Sequence, residues 1–209
     1  MSSTAQTMGF ASAHDAEEVA RAELYGLLAR LWLAPPDEPL MAQFRVAVTE
    51  APEAGGHLEG PWNDLVAALR ACSAEQAAEA FDALFGGVGK PEVFVYGSFH
   101  QAGFLNETPL VRLREDLARL GLTRAADSAE TEDHIAYGFE VMRYLIGGDD
   151  AAVCNLEQQR RFFRAHLQPW VGALCDSVQA HPRAGWLAAL AGMTRAFVEV
   201  ETQAFDMVE

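Results

Sequence analysis

The sequence is poor in lysine and cysteine, and each shortage argues against a class of protein. Only one of the 15 basic residues is a lysine, Lys90, and the 30 acidic residues bring the net charge to −15. A chain of this charge repels the phosphates of nucleic acids and the anionic surface of a membrane, so we expect no nucleic-acid partner. Three cysteines without a CxxC pair argue against a disulfide scaffold and suit a reducing compartment.

Long hydrophobic runs are missing as well. The N-terminus has no basic segment followed by an apolar one, and the longest apolar stretches are too short to cross a bilayer. We therefore expect a cytoplasmic protein without stable membrane insertion. Half of the 209 residues are hydrophobic, which is enough for one globular unit with a substantial core.

Helical periodicity dominates what is present and predicts an all-α fold. Alanine occurs 37 times and isoleucine only twice, a composition that favours helix over strand. We expect a single globular bundle of roughly nine helices. Residues 1–14 are expected to be disordered, residues 15–122 to form an N-terminal helical part, and residues 123–209 a C-terminal part. The polar connection over residues 123–130 is the predicted hinge between the two.

Capping patterns predict where two of the helices begin. Ser73 with Gln76 has the spacing of a capping box ahead of an alanine-rich helix. Thr131 is predicted to cap the helix after the hinge. Glu132 and Asp133 would then lie in the first turn of that helix, where carboxylates complement the helix dipole.

Residues 88–107 form the one long stretch without a helical period, and we call it the aromatic loop. At its centre stand Tyr96, Gly97, Ser98 and Phe99. Aromatic side chains in a loop either pack on the core or present a binding surface. A glycine among them permits a sharp turn or the close approach of another chain. The sequence leaves both interpretations open.

Three carboxylates and an imidazole lie within five residues, at Glu130, Glu132, Asp133 and His134. One interpretation is a helix start whose acids complement the dipole, with His134 hydrogen-bonded nearby. The other is an anionic rim that receives guanidinium groups through charge-assisted, often bidentate, hydrogen bonds. Spacing alone does not decide between them.

Sequence patterns for catalysis and for metal or cofactor binding are not met. The glycine-rich residues 86–90 lack the spacing of a phosphate-binding loop, no serine lies in a GxSxG context, and no HExxH occurs. The six histidines include no pair at i, i+4. We therefore expect a binding protein rather than an enzyme, with no metal and no cofactor of its own.

The order of these elements resembles the TorD/DmsD family of redox-enzyme maturation chaperones, which are related to the NarJ nitrate reductase chaperones. The resemblance covers about residues 20–205. It is carried by the sequence YGS at residues 96–98, by the Asp133-His134 pair that enters a helix, and by the run HLQPW at residues 166–170. The chain departs from the family at residues 131–132, where proline is common in relatives.

The resemblance implies a cytoplasmic, all-helical chaperone for a molybdenum enzyme of the DMSO reductase type. Such a chaperone binds the twin-arginine signal peptide or the apo form of the catalytic subunit, delays export, and assists insertion of the molybdopterin guanine dinucleotide. By position, Asp133 and His134 match the family's Asp-His pair, and residues 96–98 match its aromatic loop. Glu130 and Glu132 are added from charge alone. The acids would pair with arginines and the aromatics, Phe99 included, would hold the apolar stretch of the leader.

Two other functions remain open from the sequence. One is a NarJ-like chaperone for a membrane-anchored nitrate reductase. The other is a small helical enzyme or nucleotide-binding protein that uses Asp133 and His134 as acid and base. A monomer and a dimer that swaps domains through the hinge are both compatible with the pattern.

Overall fold

The computed structural model describes residues 13–46, 56–86, 90–126 and 128–207, which form ten helices and no strand. In chain order these are α1 (Ala13–Leu33), α2 (Glu38–Val46), α3 (Glu59–Arg70), α4 (Ala74–Phe85), α5 (Gly97–Ala102), α6 (Thr108–Arg119), α7 (Ile135–Gly147), α8 (Leu156–His166), α9 (Val171–Gln179) and α10 (Trp186–Met207). The all-α prediction is confirmed, with one helix more than the nine or so expected. The disorder predicted for residues 1–14 concerns mostly residues outside the described ranges, and α1 already begins at residue 13.

The capping box predicted at the start of α4 is confirmed. The Ser73 hydroxyl accepts the backbone N–H of Gln76 at 3.2 Å, and the Gln76 side chain accepts the backbone N–H of Ser73 at 2.9 Å. At α8, the Asn155 side chain accepts the backbone N–H of Gln158 at 3.1 Å. Such caps satisfy N–H groups that have no partner inside the helix, and each stabilises a helix by about 1 kcal/mol.

The aromatic loop is not free of helix, so that prediction is wrong at its centre. Residues 97–102 form α5, which ends at Gly103 with a φ of +82°. A helix of six residues is too short to display a hydrophobic period. It also begins at a glycine, which sequence analysis associates with a turn.

The predicted start of the helix after the hinge is wrong as well. The N-cap of α7 is His134 rather than Thr131, and its ring Nδ1 accepts the backbone N–H of Ala136 at 3.2 Å. Glu132 and Asp133 therefore precede the helix instead of lying in its first turn. The local sequence placed these acids inside the helix because it does not reveal that Asp133 accepts a hydrogen bond from α5, which is distant in the sequence.

One hydrophobic core extends through the described helices. Its largest fully buried side chains include Trp32, Tyr25, Phe139, Phe163 and Phe205. α1 packs most extensively against α7, and α10 packs against α9 and α3. Helices from both sides of the predicted boundary at residue 122 thus share this core, while the division into two parts stays a prediction.

A buried network of polar side chains joins the first helix to the last. Arg21 Nε and Nη2 donate to the two carboxylate oxygens of Glu201, each at 2.7 Å, and the Tyr25 hydroxyl donates to Glu201 Oε2 at 2.7 Å. Arg21 Nη1 also donates to Gln159 Oε1 on α8 at 2.8 Å. Buried charges are tolerated when they are paired and hydrogen-bonded, so this network fixes α1, α8 and α10 relative to one another.

Candidate functional site

The structure brings together the two clusters that the sequence singles out. The backbone N–H of Gly97 donates to the carbonyl oxygen of Asp133 at 2.9 Å, and Tyr96 and His134 form an antiparallel bridge. The start of α5 and the start of α7 therefore lie side by side. The acidic segment and the centre of the aromatic loop form one site.

Asp133 is buried, and both of its carboxylate oxygens accept hydrogen bonds. Oδ2 accepts the backbone N–H of Ser98 at 2.8 Å, and Oδ1 accepts the Thr131 hydroxyl at 2.7 Å. The side chain thus caps α5, a helix that is distant in sequence. Both oxygens have their hydrogen-bond partners inside the protein, and the side chain does not face solvent.

His134 is buried and electrically neutral at neutral pH. Burial lowers the pKa of its imidazole to about 4, although the nearby charges of Glu130 and Asp133 act in the opposite direction. Because Nδ1 accepts the Ala136 N–H, the proton of the neutral ring lies on Nε2. The ring can therefore donate one hydrogen bond, and it does not change charge around neutral pH.

Tyr96 connects the aromatic loop to Glu130. The Tyr96 hydroxyl donates a short hydrogen bond to Glu130 Oε2, and the ring packs edge-on against His134 with 5.4 Å between centroids. Burial and the bond to Glu130 raise the pKa of the phenol above its ordinary value. The hydroxyl therefore remains a donor, and Glu130 is occupied in this conformation.

Glu132 already binds guanidinium groups, those of Arg114 and Arg124 from the same chain. Arg114 Nε and Nη2 both donate to Glu132 Oε2, at 3.0 and 2.8 Å, and Arg124 Nε lies 3.9 Å from Oε1. Burial alone would raise the pKa of Glu132, but the bonds from Arg114 and the charge of Arg124 outweigh it and leave the pKa lowered. Glu132 is thus an ionised carboxylate that accepts arginine.

Trp170, from the HLQPW run, approaches Gly97 closely, and a larger residue at this position would have to displace the indole ring. A Cβ atom at position 97 would lie 3.0 Å from Trp170 Nε1, which itself donates to the carbonyl oxygen of His166 at 2.6 Å. The cavity enclosed here, beside Asp133 and His134, measures about 10 Å³. That volume holds one water molecule at most, so neither a guanidinium group nor a nucleotide base fits there in this conformation.

The remaining aromatic residue of the predicted site, Phe99, is half-buried and lies on the other side of α5. Its ring stacks on Phe94 with 4.2 Å between centroids. After α5 the chain presents two exposed apolar side chains, Phe104 at 71% and Leu105 at 41% exposure. The aromatic loop therefore contributes both core packing and apolar surface, so both interpretations of its sequence hold for different residues.

An open groove lies next to Glu132, between the end of α6, the connection that follows it, and α7. We call it the α7 groove. It has a volume of about 440 Å³, within the usual range of ligand-binding pockets. Its apolar lining consists of Leu117, Leu122, Ala125, Tyr137, Val141 and Tyr144, and its charged rim of Arg124, Glu132, Glu140 and Arg143.

Sequence reasoning missed Arg114, Arg124 and Trp170 as members of this site. A pair of arginines on a surface carries no local signal of the acid that it meets in the fold. The HLQPW run was the one indication of Trp170. In the described ranges, no group of His, Cys, Asp and Glu side chains is arranged to hold a metal ion. None of the described helices is long and apolar enough to span a membrane.

The fold and the site together define an all-α protein in which an acidic segment packs against the centre of an aromatic loop. The nitrate reductase delta subunit family matches residues 52–176, more than half of the chain, and the match includes α5, the acidic segment and Trp170. The chain belongs to this family, whose members are chaperones for the assembly of molybdoenzymes and are related to TorD and DmsD. A comparison with curated proteins gives no match.

Proposed function

We propose that this protein is a cytoplasmic chaperone that binds the apo catalytic subunit of a molybdoenzyme, together with its twin-arginine leader, until the cofactor is inserted. In this role it also prevents premature export of the subunit. The proposed site, including the residues that position it, consists of Tyr96, Gly97, Ser98, Phe99, Glu130, Glu132, Asp133 and His134.

The observation that carries this proposal is the occupation of Glu132 by two guanidinium groups beside an apolar groove. A twin-arginine leader presents adjacent guanidinium groups followed by an apolar segment, so its receptor needs carboxylates next to apolar surface. The net charge of −15 attracts such a basic ligand over a distance and speeds the encounter.

The residues of the site have different roles in this proposal. Glu132 and Glu130 accept the arginines, and the leader takes the place of the present partners of these two acids. Asp133 and His134 keep α5 and α7 in register, so the aromatic side chains are presented at a fixed distance from the acids. Tyr96 holds Glu130 in place, and Phe99, on the other side of α5, adds aromatic surface for the client.

Two clients are compatible with this site, and a third function has less support. An exported enzyme of the DMSO reductase type would be recognised through its twin-arginine leader. A membrane-anchored nitrate reductase is favoured by the family to which the chain belongs. A nucleotide-binding function or an enzyme centred on Asp133 and His134 has no room for a base in the cavity of about 10 Å³ beside that pair.

Affinity capture from the cells that naturally produce the protein tests the proposal. We expect the tagged protein to retain a molybdoenzyme catalytic subunit that lacks its cofactor, identified by mass spectrometry. The Glu132→Gln variant should retain less of it, whereas the Glu75→Gln variant, with its exposed acid on α4, should retain the wild-type amount. Capture without any molybdoenzyme subunit, or equal capture by Glu132→Gln and wild type, would contradict the proposal. The identity of the captured subunit distinguishes the two clients.

A further inference from the structure

We propose that the α7 groove receives the apolar segment that follows the arginines of the client's leader, with Glu132 at its edge accepting a guanidinium group. Arg114 and Arg124 occupy that carboxylate until the client displaces them. This inference rests on the proposed function. The inference adds to the proposed function a binding groove outside the predicted site residues and an exchange of ion pairs at Glu132.

In the ion pairs of Glu132, the carboxylate is the buried partner, and the arginines are the exposed partners that can be exchanged. The Glu132 side chain is 14% exposed, whereas those of Arg114 and Arg124 are 51% and 37% exposed. Ion pairs with solvent-exposed arginines are weak because water competes for both groups. Both nitrogens of Arg114 bind Oε2, while Arg124 Nε stays 3.9 Å from Oε1, beyond hydrogen-bond distance. A guanidinium group of the client can therefore replace Arg114 or Arg124 on Glu132, and the ion pair that forms is equivalent to the one that is lost.

The groove is apolar along its floor, and its rim carries two acids, Glu132 and Glu140, that are paired with exposed arginines. This arrangement suits an apolar segment that brings arginines of its own. Val141 and Leu122 form part of the floor, and Tyr144 remains 39% exposed at its end. Glu140 stands on the rim with its side chain 44% exposed and accepts a hydrogen bond from Arg143 Nε at 2.9 Å, and the Arg143 side chain is itself 55% exposed. An apolar segment that fills the groove removes this surface from water. The groove adjoins Glu132, so one short segment can place an arginine on the acid and its apolar residues in the groove.

Charge argues against other occupants of the groove. A second copy of the chain carries the same net charge of −15, so two copies repel each other unless basic groups face the groove. Acidic peptides and anionic lipid surfaces are repelled in the same way. A basic, apolar peptide complements the apolar floor and the net charge of the chain, and its arginine can replace an exposed arginine on Glu132.

Removal of the internal arginine tests the exchange. The probe is a synthetic peptide with two adjacent arginines followed by an apolar stretch, titrated calorimetrically into the full chain. Arg114→Gln should bind it about two- to fivefold more tightly, because the peptide no longer competes with an exposed ion pair. Arg119→Gln is the matched control. It removes the same charge from α6, but the native Arg119 pairs with Asp116 and not with Glu132. Its affinity should stay close to that of the wild type.

Filling the groove tests its occupancy. Ala125 is exposed and lines the groove, so Ala125→Trp should block it and weaken binding of the same peptide by about tenfold. Ala129→Trp is the control, because residue 129 is an exposed alanine of the same connection that does not line the groove. This variant should bind as the wild type does. Circular dichroism and thermal melting verify that all four variants fold.

The possible failures are distinguishable. If the peptide binds the wild type and Ala125→Trp equally, the groove is not its site, and the proposed function stands without this inference. If Arg114→Gln and Arg119→Gln bind equally, no internal arginine is displaced and the exchange is refuted. If the peptide does not bind the wild type at all, recognition of a twin-arginine leader itself is refuted.

Discussion

Asp133 links two segments that lie 35 positions apart, and the geometry of the site depends on it. Its carboxylate accepts the Ser98 N–H and the Thr131 hydroxyl, while its carbonyl oxygen accepts the Gly97 N–H. An acid that was expected to contact a ligand is thus also a structural residue. Substitutions at Asp133 therefore have to be measured for stability as well as for binding.

Asp133→Asn should lower the free energy of unfolding by about 1–3 kcal/mol. The variant loses the charge that strengthens these hydrogen bonds, and its amide NH₂ faces a donor that needs an acceptor. Urea denaturation followed by circular dichroism measures the loss. Glu75→Gln, an exposed acid in the first turn of α4, is the control and should change stability by less than about 0.5 kcal/mol. Wild-type stability of Asp133→Asn combined with lost client binding would show that Asp133 contacts the client directly instead of positioning α5.

Because of His134, the protein should become less stable as the pH falls below the pKa of an ordinary histidine. Burial lowers its pKa to about 4 in the folded protein, while an unfolded chain has a histidine pKa of about 6.5. Between these values the unfolded chain binds more protons, so stability is lost as pH falls from about 6.5 towards 4. The slope from this residue is at most about 1.4 kcal/mol per pH unit.

His134→Asn supplies the comparison for this pH dependence. Asparagine is a good N-cap but does not titrate, so the variant should show a flatter stability profile than the wild type between about pH 7 and pH 5. Unfolding by urea at several pH values measures both profiles. Identical slopes would mean that His134 is not the group that opposes folding in acid.

At the scale of elements, one buried carboxylate, that of Glu201, binds two side chains of α1 to α10. Glu201→Gln should lower the free energy of unfolding by about 2–3 kcal/mol, because the largely buried Arg21 loses its two-oxygen partner and keeps only the partly exposed Glu18, at 3.2 Å, as a countercharge. The exposed pair of Glu38 and Arg45, at 2.6 Å, is the control. Glu38→Gln should cost no more than about 1 kcal/mol, despite the similar distance. Equal losses in the two variants would contradict the role assigned to the buried network.

How well an element could be predicted depended on where its partners lie in the chain. The capping box of α4 was predictable because Ser73 and Gln76 are three residues apart. The start of α7 was misplaced and α5 was overlooked because the stabilising contact between Asp133 and Ser98 connects distant segments. The same limit applies to the site. Its acids and aromatics form local clusters that the sequence reveals, whereas Arg114 meets Glu132 only in the folded chain.

For the whole molecule, the dominant property is an excess of 15 negative charges. Such a charge speeds association with a basic leader, and dissolved salt screens it. Binding of a twin-arginine peptide should therefore weaken as salt is added, mainly through slower association. Stopped-flow mixing at low and high salt measures this rate. A rate independent of salt would indicate a purely hydrophobic encounter.

Calorimetric titration with two leader peptides, one with adjacent arginines and one with adjacent lysines, tests the central claim most directly. The claim is that a carboxylate site beside apolar surface recognises guanidinium groups. We predict tighter binding of the arginine peptide, because lysine cannot form the bidentate contact. We also predict that Glu132→Gln loses most of this preference while Glu75→Gln keeps it. Equal affinity for the two peptides, or an unchanged preference in Glu132→Gln, would contradict the account.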